Sequence, residues 1–301
     1  MPELPEVETI RRHLAPHVEG RRLTRLEILD PRFSLPLLPD ALAKAVEGRT
    51  VERLGRRGKY LVWELEDAVF LLLHLRMTGT LLLAGEAPYA RVRFHLDGVP
   101  ALTFSDPRRF GTGEIAVGRP ALEAFLGARL GLEPFDPAFT PQHLLALTRA
   151  SRAPVKAFLL DQRKVAGVGN IYADEALHRA HLHPLRRASS LKRPQVTALH
   201  GSVVAALAAG VEAKGATIDD FRHPDGVQGS FQDKLLVHRR AGEPCPQCGT
   251  LVRKLVVGGR GTYVCETCQP RPRRATPRAA RASRPSPPGP APGSRPAAPR
   301  R

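Results

Sequence analysis

Tyr60-Leu61-Val62-Trp63-Glu64-Leu65, Val69-Phe70-Leu71-Leu72-Leu73-His74-Leu75, Thr80-Leu81-Leu82-Leu83, Val92-Arg93-Phe94-His95-Leu96 and Leu102-Thr103-Phe104-Ser105 succeed one another within residues 60–105. Each is a short apolar or alternating run, the period expected of strands that bury one or both faces. Asp97-Gly98 supplies a hairpin turn between two of them. Several short strands punctuated by turns predict a β-sandwich over most of residues 23–115.

Working outward, residues 3–15 read as a helix. Val7, Ile10 and Leu14 share one face, and Glu3, Glu6 and Glu8 suit its N-terminal turn. On the other side, Pro134, Pro137 and Pro141 mark a linker. Ala- and Leu-rich segments at 141–149, 153–162, 170–180 and 194–214 then predict helices. Pro224, Gly226 and Gly229 mark a second linker near 222–230, ahead of a small cysteine-bearing unit at 235–270. The Pro/Arg/Ala/Ser stretch after it has no apolar pattern and predicts disorder. The expectation is an α+β protein: residues 1–133 a β-sandwich with a leading helix, 134–230 helical, 231–269 a finger, and 270–301 a basic tail.

The formal net charge is +17, and residues 271–301 hold nine arginines without an acid, which leaves +8 on the rest. A body that stays basic without its tail predicts a polyanionic partner, most simply nucleic acid. The acidic opening Met1-Pro2-Glu3-Leu4-Pro5-Glu6 is unlike a signal peptide, and no apolar run reaches the roughly 18 residues that span a bilayer. A cytoplasmic protein with no membrane partner is expected.

All four cysteines follow the pattern C-x2-C-x16-C-x2-C: Cys245, Cys248, Cys265 and Cys268. Two such pairs can close a tetrahedral, four-thiolate Zn²⁺ site with no open position for water, which is structural rather than catalytic. Two disulfides are the alternative, disfavoured in a reducing compartment. Between the pairs, Gly258-Gly259-Arg260-Gly261 suits a hairpin tip, where Arg260 either grips a phosphate or is simply exposed.

Pro2 carries a further possibility. Removing Met1 would expose a secondary amine, and an α-amino group has a reference pKa of about 7.7–8.0, so part of it is neutral and nucleophilic at cellular pH. Such an amine can attack C1′ of a deoxyribose and displace the base, with Glu3 and Glu6 beside it to move protons. Read alone, the same residues could merely open a helix.

Read together, six motifs resemble the formamidopyrimidine-DNA glycosylases. They are Pro2-Glu3-Leu4-Pro5-Glu6-Val7-Glu8-Thr9, Gly58-Lys59-Tyr60-Leu61, His74-Leu75-Arg76-Met77-Thr78-Gly79, Asp106-Pro107-Arg108-Arg109-Phe110-Gly111, Gly167-Val168-Gly169-Asn170-Ile171-Tyr172-Ala173, and the four-cysteine finger. Their order and spacing match from residue 2 to about 269, so only the tail falls outside.

The resemblance implies a helical domain of the helix–two-turn–helix type, one zinc per chain and damaged duplex DNA as partner. A monomer in the bacterial cytoplasm, at the nucleoid, follows. Pro2 is then the Schiff-base nucleophile, Glu3 the acid, Glu6 its support, Lys59 a proton donor in β-elimination, and Arg260 the residue of δ-elimination and phosphate binding. A base within a duplex cannot reach Pro2, so the nucleotide must flip out. Met77 and Phe110 match the wedge that fills the vacated stack, and Arg108 the contact to the widowed base. Arg109, Arg152, Lys156 and Asn170 match backbone contacts, Asn170 also as a helix cap. Where many members carry histidines, this chain has Tyr89-Ala90-Arg91, so Tyr89 either replaces a DNA contact or marks its loss. Residues 217–232 match a loop that covers the flipped base.

Two other readings remain open. A relative resembling endonuclease VIII would prefer oxidised pyrimidines. A non-catalytic zinc-ribbon DNA-binding module would need neither Pro2, Glu3 nor Lys59.

Overall fold

Alternation becomes two four-stranded antiparallel sheets in a computed structural model that describes residues 1–83, 86–217 and 229–272. One sheet runs β2 (Val51–Arg57), β3 (Tyr60–Leu65), β4 (Val69–His74), β8 (Thr112–Val117). The other runs β1 (Leu23–Ile28), β6 (Ala90–Leu96), β7 (Leu102–Ser105), β5 (Thr80–Leu82). Trp63 of β3 and Phe94 of β6 stack across the sandwich with ring centroids 5.1 Å apart. The expected α+β class is observed.

Helix α1 (Leu4–Val18) links two cores. Val7, Ile10 and Leu14 enter the sandwich core, while Leu4 belongs to the helical core. The helix runs past the expected end at residue 15, with Pro16 inside its last turn. A second helix, α2 (Pro39–Val46), lies where strands were expected, and buries only Leu42 and Val46. Helix α3 (Arg119–Gly127) follows the sandwich.

The helical part comprises α4 (Pro141–Arg149), α5 (Val155–Leu160), α6 (Asn170–Arg179) and α7 (Arg193–Glu212). Helix α7 is long and apolar enough to cross a membrane by composition alone, with mean hydropathy 1.3. Its Val196, Leu199, Val203 and Leu207 are buried in the helical core, and it packs on α1, α4 and α6. A core helix satisfies the same test. The finger closes with the hairpin β9 (Arg253–Val257) and β10 (Arg260–Val264).

The proline-marked segment at 131–141 is strapped to both halves. Gly131 N–H donates to Gln162 O, Leu132 bridges Val165, and Glu133 pairs with Arg56 at 2.6 Å while accepting the Gly58 N–H. A proline-rich stretch says nothing of such remote partners. The tail from residue 273 and residues 218–228 of the lesion-loop segment lie outside the described residues.

Candidate active site

The N-terminus of α6 meets the N-terminus of α1. Leu4 N–H donates to Gly167 O, and Glu3 presses against the turn before α6. The Glu3 Oε1 accepts the Ile171 N–H at 2.8 Å, where the helix dipole favours an anion. Gly169 allows this approach: a Cβ there would sit 2.2 Å from Glu3 Cδ. Glu3 is 1% exposed and its other oxygen, Oε2, has no hydrogen-bond partner among the described residues.

Glu6 is equally enclosed. Its Oε2 accepts the Glu3 N–H at 2.8 Å, and its Oε1 accepts the Tyr172 hydroxyl and the Ala216 N–H, both at 2.8 Å. Lys59, at the β2–β3 turn, is buried beside these carboxyls. Burial pushes the Glu3 carboxyl up, against the pull of Lys59, and the nearby Glu6 charge raises it further. Burial pushes the Lys59 ammonium down, against the pull of Glu3 and Glu6. Each group is thereby moved toward neutrality.

Pro2, Glu3 and Glu6 line a cavity of about 260 Å³ together with Met77, Asn170 and Arg260. A neighbouring cavity of about 500 Å³ is lined by Lys59, His74, Arg76 and Phe110, and shares Met1, Met77, Asn170 and Arg260 with the first. The two form one cleft. Sequence expectation brought Pro2, Glu3, Glu6, Lys59, Met77, Phe110, Asn170 and Arg260 to it.

The other expected residues surround the cleft or lie elsewhere. Phe110 is 51% exposed, and the Arg108 guanidinium stacks on its ring at 4.9 Å. Buried Asp106 ties their loop to the Met77 loop: its carboxylate accepts the Thr78 hydroxyl, the Arg108 N–H at 3.2 Å and the Gly111 N–H at 2.8 Å. Arg109 is exposed and lies 3.4 Å from Asp30. Tyr89 is exposed at a positive φ of 58°. Two residues on, Arg91 is buried and paired with Asp30 at 3.2 Å, so it is structural. Arg152 is exposed, in the segment just before α5.

Two expectations change. Gly169 is the N-cap of α6, and Asn170 is its first helical residue. The Asn170 Nδ2 donates across to Gly261 O at 3.0 Å instead of capping. Lys156 is not on the surface: it is fully buried, with its ammonium 2.7 Å from Asp174. His238 and Lys254 also line the smaller cavity and were not anticipated. His238 Nδ1 contacts Asp174 at 2.9 Å. Nothing in the local sequence distinguishes that histidine, because it lies in a turn and its partner Asp174 is on α6, 64 residues earlier. Lys254 faces Tyr263 across the finger hairpin that carries Arg260, a placement the spacing of the cysteine pairs could have suggested.

The four cysteine sulfurs lie within 4.8 Å of one another, and Cys245–Cys268 and Cys248–Cys265 are separated by 3.9 and 3.4 Å. These are non-bonded distances, and no disulfide forms. Thiolates about 2.3 Å from a central Zn²⁺ stand at this spacing, so the donor set fits one structural zinc. The metal would hold the hairpin, and so Arg260, against α6. Gln269 Nε2 already links the finger to Leu182 O at 2.9 Å.

A buried acid, a buried lysine and an N-terminal proline around a basic cleft, beside a four-thiolate finger, define a zinc-finger protein built to act on a polyanion. Residues 1–113 match the formamidopyrimidine-DNA glycosylase N-terminal domain, 130–222 the H2TH domain of the same enzymes, and 242–271 the zinc finger found in Fpg and isoleucyl-tRNA synthetase. The chain belongs to the formamidopyrimidine-DNA glycosylase family. It is 46% identical to the formamidopyrimidine-DNA glycosylase of Symbiobacterium thermophilum over 92% of this chain and 94% of that one. The MutM (Fpg) protein of Thermus thermophilus superposes with a TM-score of 0.82 at 44% identity, over 89% of this chain and 98% of that one. A Lactococcus lactis Fpg mutant bound to Fapy-dG DNA superposes at 0.84 with 34% identity, over 90% and 100%.

Proposed function

We propose that this protein is a base excision repair enzyme that removes oxidised purines, 8-oxoguanine and formamidopyrimidines, from duplex DNA and then cuts the strand. The single observation that carries the reading is the grouping of Pro2 with buried Glu3 and Lys59 in one basic cleft. Once Met1 is removed, the Pro2 nitrogen attacks C1′ of an everted nucleotide. The C1′–N bond breaks, and the base leaves with its electron pair and a proton from Glu3, whose raised pKa keeps it protonated longer than an ordinary carboxyl.

The Pro2 N–H proton is lost, the C1′–O4′ bond opens with O4′ taking a proton, and the resulting iminium acidifies the C2′ protons. Loss of one of them expels the 3′ phosphate by β-elimination, with Lys59 shuttling protons. A second elimination expels the 5′ phosphate, with Arg260 holding phosphate oxygens. A one-nucleotide gap with phosphates at both ends results. Met77, Phe110 and Arg108 fill the space of the flipped nucleotide. Arg109, Arg152, Tyr89 and Asn170 grip the backbone. The boundaries 1–133, 134–230 and 231–269 serve as sandwich, helical and finger parts of this machine.

Borohydride trapping on an 8-oxoguanine duplex tests the reading. A covalent adduct with the mature protein, lost in Pro2→Gly, is expected. DNA binding without any adduct would indicate a non-catalytic module. An adduct that survives Pro2→Gly would move the nucleophile elsewhere. Preference for thymine glycol would indicate an endonuclease VIII-like enzyme.

A further inference from the structure

The guanidinium of Arg260 stands exposed at the hairpin tip and has no hydrogen-bond or ion-pair partner among the described residues. Nothing on the side chain aims it, so its direction is set by its backbone. Gly258 and Gly259, at φ 56° and 74°, make the tight turn before it, and hydrogen bonds hold the chain after it. The Arg260 carbonyl accepts the Thr262 hydroxyl at 3.0 Å. The next carbonyl, of Gly261, accepts both Lys156 Nζ and Asn170 Nδ2, each at 3.0 Å.

Lys156 is the hub of this arrangement. Its ammonium contacts Gly261 O at 3.0 Å, Thr262 Oγ1 at 2.8 Å and Asp174 Oδ1 at 2.7 Å. Two of its three protons go to hydrogen bonds with Gly261 O and Thr262 Oγ1, and the Asp174 carboxylate is its ion-pair partner. Asp174 in turn holds His238 Nδ1 at 2.9 Å and the Tyr263 N–H at 3.4 Å. Lys156, Asp174 and Thr262 are each at most 1% exposed. A buried ammonium is costly unless paired, and an apolar side chain could fill the same space. What an apolar residue could not do is grip a backbone carbonyl, a hydroxyl and a carboxylate at once.

We infer that Lys156 is a positioning residue that aims Arg260 through Gly261 and Thr262, and does not itself touch DNA. The inference rests on the reading of Arg260 as a phosphate-binding group. Helix α5 thereby fixes the finger hairpin over the cleft, and the Arg260 guanidinium reaches the DNA already directed.

A double-mutant cycle tests this with the zinc-loaded full chain. The affinity for a duplex containing a tetrahydrofuran abasic analogue is read by fluorescence anisotropy across a salt series. Arg260→Ala is expected to weaken binding by about 10-fold or more, the worth of a hydrogen bond to a charged group, and to lower the salt slope by about one phosphate. Thr262→Val leaves the Lys156–Asp174 pair intact and, being buried, removes no DNA contact. It should weaken binding several-fold in the parent and change almost nothing in the Arg260→Ala background. Lys156→Met should behave likewise, with a larger effect.

If the losses from Lys156→Met and Arg260→Ala multiply, and each lowers the salt slope by about one, Lys156 holds a phosphate of its own and the inference is overturned. A Thr262→Val loss that persists undiminished without the guanidinium, or no loss at all, overturns it while leaving Arg260's role intact. If Arg260→Ala binds as the parent does, the reading of Arg260 itself has failed, and the positioning role falls with it.

Discussion

A Cβ placed on Gly169 lands 2.2 Å from Glu3 Cδ, 2.6 Å from Cγ and 2.5 Å from Oε2. The backbone there is extended, φ −127° and ψ −159°, so alanine is acceptable conformationally and the whole effect comes from the collision. In Gly169→Ala the Glu3 carboxyl must retreat from α6, and its 2.8 Å bond from the Ile171 N–H is broken or stretched. A hydrogen bond to a charged group contributes about 1.5–3 kcal/mol, and a positioned acid about 10²–10⁴-fold in rate. Excision of an intact lesion should therefore slow by on the order of 10²-fold. Cleavage at a preformed abasic site needs no proton for a departing base, so it should stay close to the parent rate. Single-turnover kinetics on matched formamidopyrimidine and abasic duplexes separate the two. Overpacking is expected to cost about 1–3 kcal/mol of stability, so the assay is run well below the melting temperature. Excision at the parent rate, or equal losses on both substrates, would refute the assignment of Glu3 as the acid held by this turn.

Two further outcomes follow from the site. Burial raises the Glu3 carboxyl, aided by Glu6 and opposed by Lys59. On the proposed role of Glu3 as the acid the protonated form is the active one, so excision should fall as pH rises through this elevated value. Glu3→Gln should lose that limb along with most excision, and an alkaline limb that survives in Glu3→Gln would contradict the assignment. Stripping zinc should release Cys245, Cys248, Cys265 and Cys268, unfold the finger and displace Arg260, because so small a unit needs its metal. DNA affinity should collapse and return when zinc is restored, with elemental analysis giving one zinc per chain. Undiminished affinity after complete zinc loss would rule out that role.

Much of the architecture was legible because its causes are local. Period-two runs gave the strands of the sandwich, the face of Val7, Ile10 and Leu14 gave α1, and two C-x2-C pairs gave the finger. Local signals misled where tertiary packing outweighed them. Leu42 and Val46 bury one edge of α2 in a region otherwise strand-like. The helix continues through Pro16 into its last turn, and α7 and β2 pack along it. The prolines at 131–141 gave no hint that Glu133 would clamp the Arg56–Gly58 turn beside Lys59.

The sequence by itself determined the chemical inventory: an N-terminal proline next to carboxyls, a lysine after a glycine turn, an arginine on a finger hairpin, and four thiolates at metal spacing. It could do so because residue type and near-neighbour spacing are written directly in the chain. Tertiary structure alone decided which groups lose their water and which charges meet. It buried Glu3 against the first turn of α6, moved Lys59 and Glu3 toward neutrality, and withdrew Lys156 from the surface to Asp174 and the Gly261 carbonyl. Desolvation and Coulomb interactions depend on distances between segments far apart in sequence, and only the folded chain sets those distances.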